Sequence, residues 1–573
     1  MSATSRATVN PLVQSSKGMV VAAHPLAALA GTEMLLRGGN AVDAAVATAF
    51  ALNVVEPMMS CVGGGGFMVI YNAKSGEVTA LDYRETIPAL ARPGMYEVVE
   101  GQKSSEGWTL VKNDAHMVGH LAVATPGSVA GLMHALQHYG TMRRETVLGP
   151  AIRYAEEGFP MYAHLAQGIQ NNMHKVGRFP GTKAVYMKGD RHYEVGETLY
   201  QRDLGKTLRA VAEHGTKGFY GGWVAEAIVR EMEQNGGLLS LEDLRDLPSR
   251  RPRVMRPAEG TYRGYKVISM PPPSSGGTHL VQMLNILEHF DMPGFGHNSP
   301  QSIHLLSEVM KRAFADREKY MGDPDFAKVP VRGLTSKQYA DELAALVSLD
   351  RVTNAPRAGD PTKYDMEKPS WPDVDDNGKR RKQGAMSPGC TTHFSVVDEF
   401  GNMVASTQTV NDGFGCGVVV PGTGIKLNDQ MENTEPTPGR ANSIEPGKSP
   451  LSSMSPTLVI APDGQPLLTV GSPGSARIFS TVLQIVANVI DYGMNVQQAI
   501  EAPRIYAPVD EIAMEARIDP ATRKALEDMG HHLDVKGEWD TFFGGAHGIQ
   551  RDNKTGYLIG GADPRRSGRA IGY

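Results

Sequence analysis

Short apolar runs separated by glycine-rich turns mark both ends of the chain, and long helical stripes fill the middle. Gly18–Ala23 is uniformly apolar and predicts a buried strand. Pro25–Arg37 follows with helical spacing and closes on Gly38-Gly39. Asn40 then caps a second helix, Ala41–Val55. Met68–Tyr71 and Val78–Tyr83 flank Ser75-Gly76 and predict a hairpin, with Arg84 at its exit. A helix opens at Thr125–Gly131, reaches His138 and stops at Tyr139-Gly140. Helical periodicity with solvated charged faces continues to about Leu247. Met270–Gly277 forms a rigid turn before the helix Thr278–His289. Ser302–Tyr320 is a long amphipathic helix, ended by Gly-Asp-Pro at 322–324.

The pattern then breaks. Residues 353–389 hold one branched aliphatic residue, Val374, among many Pro, Asp, Lys, Arg and Gly. Such a stretch buries too little apolar surface to offset its ordering entropy, so it reads as a surface linker or a mobile tail. Directly after it, His393–Asp398 and Met403–Val410 form a Val/Thr/Phe-rich hairpin about the turn Glu399–Asn402. Leu458–Ile460 and Leu467–Val470 make another hairpin. Ala476–Tyr492 is an apolar helix, and Gly548–Arg551 with Tyr557–Gly560 gives a last strand pair. No fixed-period repeat occurs. Several hairpins and several buried helices together predict antiparallel sheets covered by helices in a layered sandwich.

Composition narrows the function. The 573 residues are 41% hydrophobic and 21% charged, enough for a large core, and the net charge of -5 gives no basic footprint for nucleic acid. Three cysteines, Cys61, Cys390 and Cys416, are too few for a disulfide framework. Neither CxxC nor HExxH occurs, so neither metal nor other cofactor is expected. Met1–Lys17 lacks the order of a signal peptide, and the run Ala44–Val55 is too short to span a bilayer. The expectation is a soluble cytoplasmic protein acting on neither membrane nor nucleic acid.

Thr391-Thr392 opens the central hairpin right after the tail-like stretch. A threonine hydroxyl is a weak nucleophile unless a base lies beside it. An N-terminal threonine carries that base, because an α-amine titrates at roughly 7.7–8.0. Attack of the Thr391 hydroxyl on the Cys390 carbonyl would supply the necessary cut. Alone, the pair reads as readily as two β-branched strand residues. His393, on the opposite strand face from Thr392, is expected to be structural. Gly63–Gly66 lacks the Lys-Ser/Thr of a phosphate loop and reads as close backbone packing.

The wider motif set adds to this. The hairpin occurs with M-P-P-P-S-S-G-G at Met270, K-L-N-D-Q-M at Lys426, P-L-S-S-M-S-P-T at Pro450, G-S-P-G-S at Gly471 and A-D-P-R at Ala562. Earlier come G-G-N-A-V-D-A-A at Gly38, G-G-G-G-F-M at Gly63 and T-P-G-S-V-A-G at Thr125. Over Gly18–Tyr573 this resembles the γ-glutamyltranspeptidase family of N-terminal-nucleophile hydrolases. The resemblance implies an α+β, four-layer αββα sandwich with a helical large-subunit region. It implies one precursor cut into 1–390, ending in the 353–389 tail, and 391–573, together one catalytic fold. Cys390–Thr391 would be the cleavage site and Thr391 the nucleophile, tuned by the Thr409 hydroxyl. Arg84, Ser452 and Ser453 would hold the donor's α-carboxylate; Asn411, Gln430 and Asn433 would line its α-carbon. Gly474 and Ser475 would offer backbone N–H groups to the oxyanion.

Three departures qualify the substrate. Position 433 is Asn where γ-glutamyl enzymes of the family usually carry Asp. Losing that charge costs roughly 1.5–3 kcal/mol of contact to an α-ammonium. Residues 434–449 are short and lack a lid tyrosine, so an open site that favours water is expected. Ser475 replaces a usual Gly, and its N–H survives. The implied activity is acyl transfer from a small-molecule amide donor, of the γ-glutamyl (glutathione) type, to water more than to an amine or peptide acceptor. The alternative is a glutaryl or a small dicarboxylic monoamide such as oxamate, the glutaryl case resembling cephalosporin acylases.

Overall fold

A computed structural model describes residues 8–103, 109–354, 356–365 and 390–573. Two seven-stranded sheets form its centre. The first runs, edge to edge, Arg253–Met255, Val78–Tyr83, Gly65–Tyr71, Met403–Asn411, Cys390–Val397, Met19–Ala22 and Arg569–Gly572, with every pairing antiparallel. The second runs Val13–Ser15, Leu558–Ala562, His547–Arg551, Pro466–Gly471, Thr457–Ile460, Tyr265–Ser269 and Ala258–Tyr262, again antiparallel throughout.

The sheets face each other across a core of Met19, Val21, Val69, Ile268, Met403, Ala405, Leu458 and Ile549. Helices Pro25–Leu36, Ala41–Val55, Ser128–Tyr139 and Arg144–Glu157 cover the outer side of the first sheet. Gly276–Leu287, Pro300–Tyr320 and Ile478–Ile490 cover the second. The result is the expected αββα sandwich of an α+β protein.

Local chemistry explains the layers. Every residue of Ala41–Val55 is buried, because this helix lies between a sheet and other helices. Asn40 Oδ1 accepts from the Val42 and Asp43 amides, and the Asp43 carboxylate accepts the Asn40 amide in return. Gly64 and Gly66 let the backbone of the central strand approach: a Cβ at either would lie 2.1 Å from Thr409 O or 2.6 Å from Thr407 O.

Two boundaries differ from the sequence reading. The hairpin's first strand starts at Cys390, one residue before the threonine pair that opens it in the sequence reading, so both threonines lie within the sheet. The helix expected from Ala476 starts at Ile478, after a 3₁₀ turn over Ser475–Arg477, since Ser475 is left-handed at φ 54°. In the segment read as unable to fold, 356–365 is packed. The Gly359 amide donates to Asp316 at 2.9 Å, Tyr320 Oη donates to Gly359 O at 2.7 Å, and Pro361–Tyr364 forms a 3₁₀ turn. Hydrogen bonds to the buried Asp316 and Tyr320 hold this stretch, together with packing of Ala358 and Tyr364 against the core. Residues 366–389 lie outside the described residues. Among the described residues, no helix is long and apolar enough to cross a membrane.

Candidate functional site

A cleft of about 340 Å³ opens where the end of the central hairpin meets the loops 451–454 and 474–478. Strand register sets its floor. Thr391 pairs with Thr409 and Cys390 with Asn411, and the register shifts between Cys390 and Thr391. Such a bulge re-aims a side chain at a strand end. Thr391 Oγ1 donates to Thr409 Oγ1 at 3.2 Å, and Thr409 Oγ1 donates to the Cys390 carbonyl at 2.6 Å. The Asn411 amide donates to Thr409 Oγ1 at 2.8 Å. One hydroxyl is therefore held between the candidate nucleophile and the carbonyl it would attack.

Arg84 leaves the second strand of the neighbouring hairpin and is buried in the cleft wall. Its Nε donates to Pro450 O and its Nη2 to Leu451 O, both at 3.2 Å. Glu85 lies 3.5 Å from Arg84 Nη1. Burial pushes the Glu85 carboxyl up to about 7, against the opposing pull of the Arg84 charge and the Gln430 amide. Ser452 and Ser453 complete this wall. Ser452 Oγ accepts the Met454 amide at 3.1 Å, and Ser453 Oγ accepts Arg317 Nη2 at 3.1 Å.

The amides of the opposite wall are ordered by charge. A carboxylate can only accept, so Asn411 turns Nδ2 to Glu432 Oε2 at 2.6 Å. Its Oδ1 then faces Asn433 and accepts from Asn433 Nδ2. Asn433 Nδ2 also donates to Gln430 Oε1 at 3.0 Å. Glu432 thus reaches the site through Asn411. Asn442 fixes the short segment beyond: its Nδ2 donates to Asn433 O at 2.7 Å, and its Oδ1 accepts the Leu451 amide at 3.1 Å.

Of the residues singled out from sequence, Arg84, Thr391, Thr409, Asn411, Asn433, Ser452, Ser453 and Ser475 line this one cleft. Gln430 stands behind Asn433, Gly474 precedes Ser475 on the same turn, and Cys390 is buried beneath. His393 is elsewhere. It is buried between Thr407 Oγ1 at 2.8 Å and Ser395 Oγ at 3.2 Å, and burial holds its ring neutral. Sequence reasoning missed Arg317, whose Nε donates to Ser275 Oγ at 2.9 Å while Ser275 Oγ donates to Ser452 O at 2.7 Å. A signal existed: Arg317 continues the buried stripe Met310, Ala313, Phe314 at helical spacing.

Comparisons with known proteins agree on one relationship. The family model described as gamma-glutamyltranspeptidase matches residues 27–573. The chain is 39% identical to a glutathione hydrolase proenzyme of Bacillus subtilis, covering 97% of this chain and 91% of that one. It is 40% identical to the acylase ACY 1 proenzyme of a Pseudomonas strain, covering 90% and 87%. The solved cephalosporin acylase of Bacillus halodurans is similar over 100% of this chain and 99% of its own, at 29% identity and a TM-score of 0.85. With family model, relatives and solved fold agreeing along nearly the whole length, the chain belongs to the gamma-glutamyltranspeptidase family.

Proposed function

We propose that this protein is a self-cleaving threonine amidohydrolase that removes γ-glutamyl groups from small amides, glutathione among them, and passes them to water more readily than to amines. The observation that carries the reading is the hydroxyl relay from Thr391 through Thr409 to the Cys390 carbonyl. Relatives named as proenzymes support the self-cleavage, and those named glutathione hydrolase support the substrate.

In the first step Thr391 Oγ adds to the Cys390 carbonyl carbon and its proton passes to the departing Thr391 nitrogen. The C–N bond breaks and an ester replaces the amide. Water then splits the ester, leaving a carboxylate on Cys390 and a free α-amine on Thr391. In turnover that amine takes the hydroxyl proton while Oγ attacks the donor's γ-carbonyl. The N–H groups of Gly474 and Ser475 receive the developing oxyanion. The donor's amine leaves with the proton, and water releases the acyl group. Arg84, Ser452 and Ser453 would hold the donor carboxylate, whose planar charge suits a guanidinium. The short 434–449 segment leaves the acyl-enzyme open to water.

A second reading rests on Asn433. A neutral amide beside the donor α-carbon is compatible with a glutaryl or smaller dicarboxylic monoamide, and an acylase is among the relatives.

The test is purification of wild type and Thr391→Ala with N-terminal sequencing and assays on γ-glutamyl- and glutaryl-p-nitroanilide. The expected result is a wild-type fragment beginning Thr-Thr-His-Phe and hydrolysis of the γ-glutamyl substrate, with one uncut inactive chain in the variant. Cleavage or amide hydrolysis by Thr391→Ala would overturn the mechanism. A preference of the wild type for the glutaryl substrate would replace the first reading with the second.

A further inference from the structure

Behind the nucleophile, on the side away from the donor carboxylate wall, lies a buried cation that the steps above do not use. Arg566 Nη1 donates to the Thr391 carbonyl at 3.1 Å and also meets Met59 Sδ at 3.4 Å. The side chain is 7% exposed. Its stem lies along Gly545, where a Cβ would stand 2.6 Å from Arg566 Cδ. Its neighbour Arg565 has a structural task, with Nε and Nη2 on the two Glu515 oxygens at 2.6 and 2.7 Å and Nη1 on Asp563 at 3.0 Å. Arg566 is instead turned to the first peptide of the candidate mature N-terminus.

We propose that Arg566 is a positioning residue for Thr391, fixing its carbonyl and, through its charge, keeping the α-amine released by cleavage in the neutral, basic form. The proposal rests on the reading of Thr391 as an N-terminal nucleophile. Both residues lie in the 391–573 fragment, so their contact survives the cut. The carbonyl oxygen and amine nitrogen of one residue are separated by roughly 3 Å, so Arg566 Nη1 lies within about 6 Å of the amine. A like charge at that range disfavours the ammonium form and leaves more free amine to accept the hydroxyl proton. A neutral donor would anchor the carbonyl equally well, so the charge has a separate consequence.

Other charged groups face the same place. Glu56, at the end of the helix Ala41–Val55, is pushed up to about 7 by burial, against the opposing charges of Arg566 and Lys426. Lys175, from the short helix Met173–Val176, is held by Asp412 and Asp429, and all three act on Cys390. Tyr162 and His164, both partly buried, lie close enough to feel Arg566, and desolvation keeps both neutral. Lys175 is thus paired by two acids. Arg566 is the cation hydrogen-bonded to Thr391, and Glu56 is the acid that opposes it.

The experiment measures kcat/KM against pH on processed wild type, Arg566→Met, Arg566→Lys and Glu56→Gln, using whichever of γ-glutamyl- or glutaryl-p-nitroanilide the wild type hydrolyses. Arg566→Met is expected to move the acid limb up by roughly one unit, as loss of a like charge requires. Its deficit is then about tenfold below the limb and small above pH 9. Arg566→Lys should stay near wild type, and Glu56→Gln should move the limb down by less than Arg566→Met moves it up, because Glu56 is ionised only in part near pH 7. An unmoved limb in processed Arg566→Met, or a deficit equal at every pH, overturns the proposal. If Arg566→Met yields no processed enzyme, Glu56→Gln decides: an unmoved limb there overturns it too. A wild type that stays uncut yet hydrolyses the amide would remove the amine itself, and with it the reading on which the proposal rests.

Discussion

The Thr409 hydroxyl donates to the Cys390 carbonyl at 2.6 Å, so the peptide bond before Thr391 is polarised before anything has been cut. The same oxygen accepts from Thr391 Oγ1 at 3.2 Å and from the Asn411 amide at 2.8 Å. In the proposed mechanism it would steer the attacking hydroxyl and stabilise the oxyanion that attack creates. Thr409→Val keeps the β-branched shape and removes both functions. Loss of one oxyanion donor costs about 100- to 1,000-fold. Fragment appearance on a denaturing gel should slow by a factor of that order, with the fold intact by circular dichroism. Processing at the wild-type rate would remove Thr409 from the chemistry.

Glu85 gives donor binding a pH dependence. It is fully buried 3.5 Å from Arg84, and burial pushes it up to about 7. Below that pH Glu85 is neutral and the Arg84 charge acts on a bound carboxylate undiminished. Above it the ionised Glu85 offsets that charge. A bound carboxylate therefore favours protonated Glu85, and KM should rise several-fold as pH climbs from about 6 to 8. In Glu85→Gln the profile should flatten over that interval. A variant with the same rise as wild type would locate the titrating group elsewhere.

How much of this was legible in the sequence follows from the type of force involved. The hairpin around Thr391 was visible because Val, Thr and Phe alternate on either side of a polar turn. Its opening at Thr391-Thr392 was visible too, but Cys390 was not, because it is placed by pairing with Asn411 across a register shift. Arg84, Ser452 and Ser453 were found only as parts of long motifs; alone, each is an ordinary surface residue type. The role of Glu432 in ordering Asn411 could not be read, since it depends on a contact from a separate element, 2.6 Å long. The packed stretch 356–365 was hidden for the opposite reason. Composition counts apolar area, whereas Gly359 is held by Asp316 and Tyr320.

Asn442 is the joint of the short segment over the cleft. It donates to Asn433 O at 2.7 Å and accepts from the Leu451 amide at 3.1 Å, tying the α-carbon wall to the carboxylate wall. Asn442→Ala removes both ties, each a net 0.5–1.5 kcal/mol in the usual case. Neither tie is made to Cys390 or Thr391, so fragment formation should be normal. KM for the amide donor should rise roughly three- to tenfold, with kcat changed less than twofold. An equal loss in kcat would mean that the joint acts on the nucleophile instead.

Asn433 offers the sharpest test of substrate, because its orientation is already fixed. Glu432 holds the Asn411 amide by its nitrogen, so Asn411 Oδ1 faces Asn433. Gln430 Oε1 does the same at 3.0 Å. Both hydrogens of Asn433 Nδ2 are thereby used, and its Oδ1 is the atom left to meet a donor. An acceptor oxygen there suits a donor α-ammonium, though without the charge that a carboxylate would add. Asn433→Asp adds that charge, worth roughly 1.5–3 kcal/mol, or about ten- to a hundredfold in the ratio of γ-glutamyl to glutaryl hydrolysis. The gain should lie at the lower end, because a carboxylate at 433 cannot donate to Asn411 and Gln430, and Glu432 stands nearby. Parallel kcat/KM measurements on the two p-nitroanilides decide it. A ratio unchanged by Asn433→Asp would show that position 433 does not meet the donor, and the distinction between the two substrate readings would have to be sought at Arg84, Ser452 and Ser453.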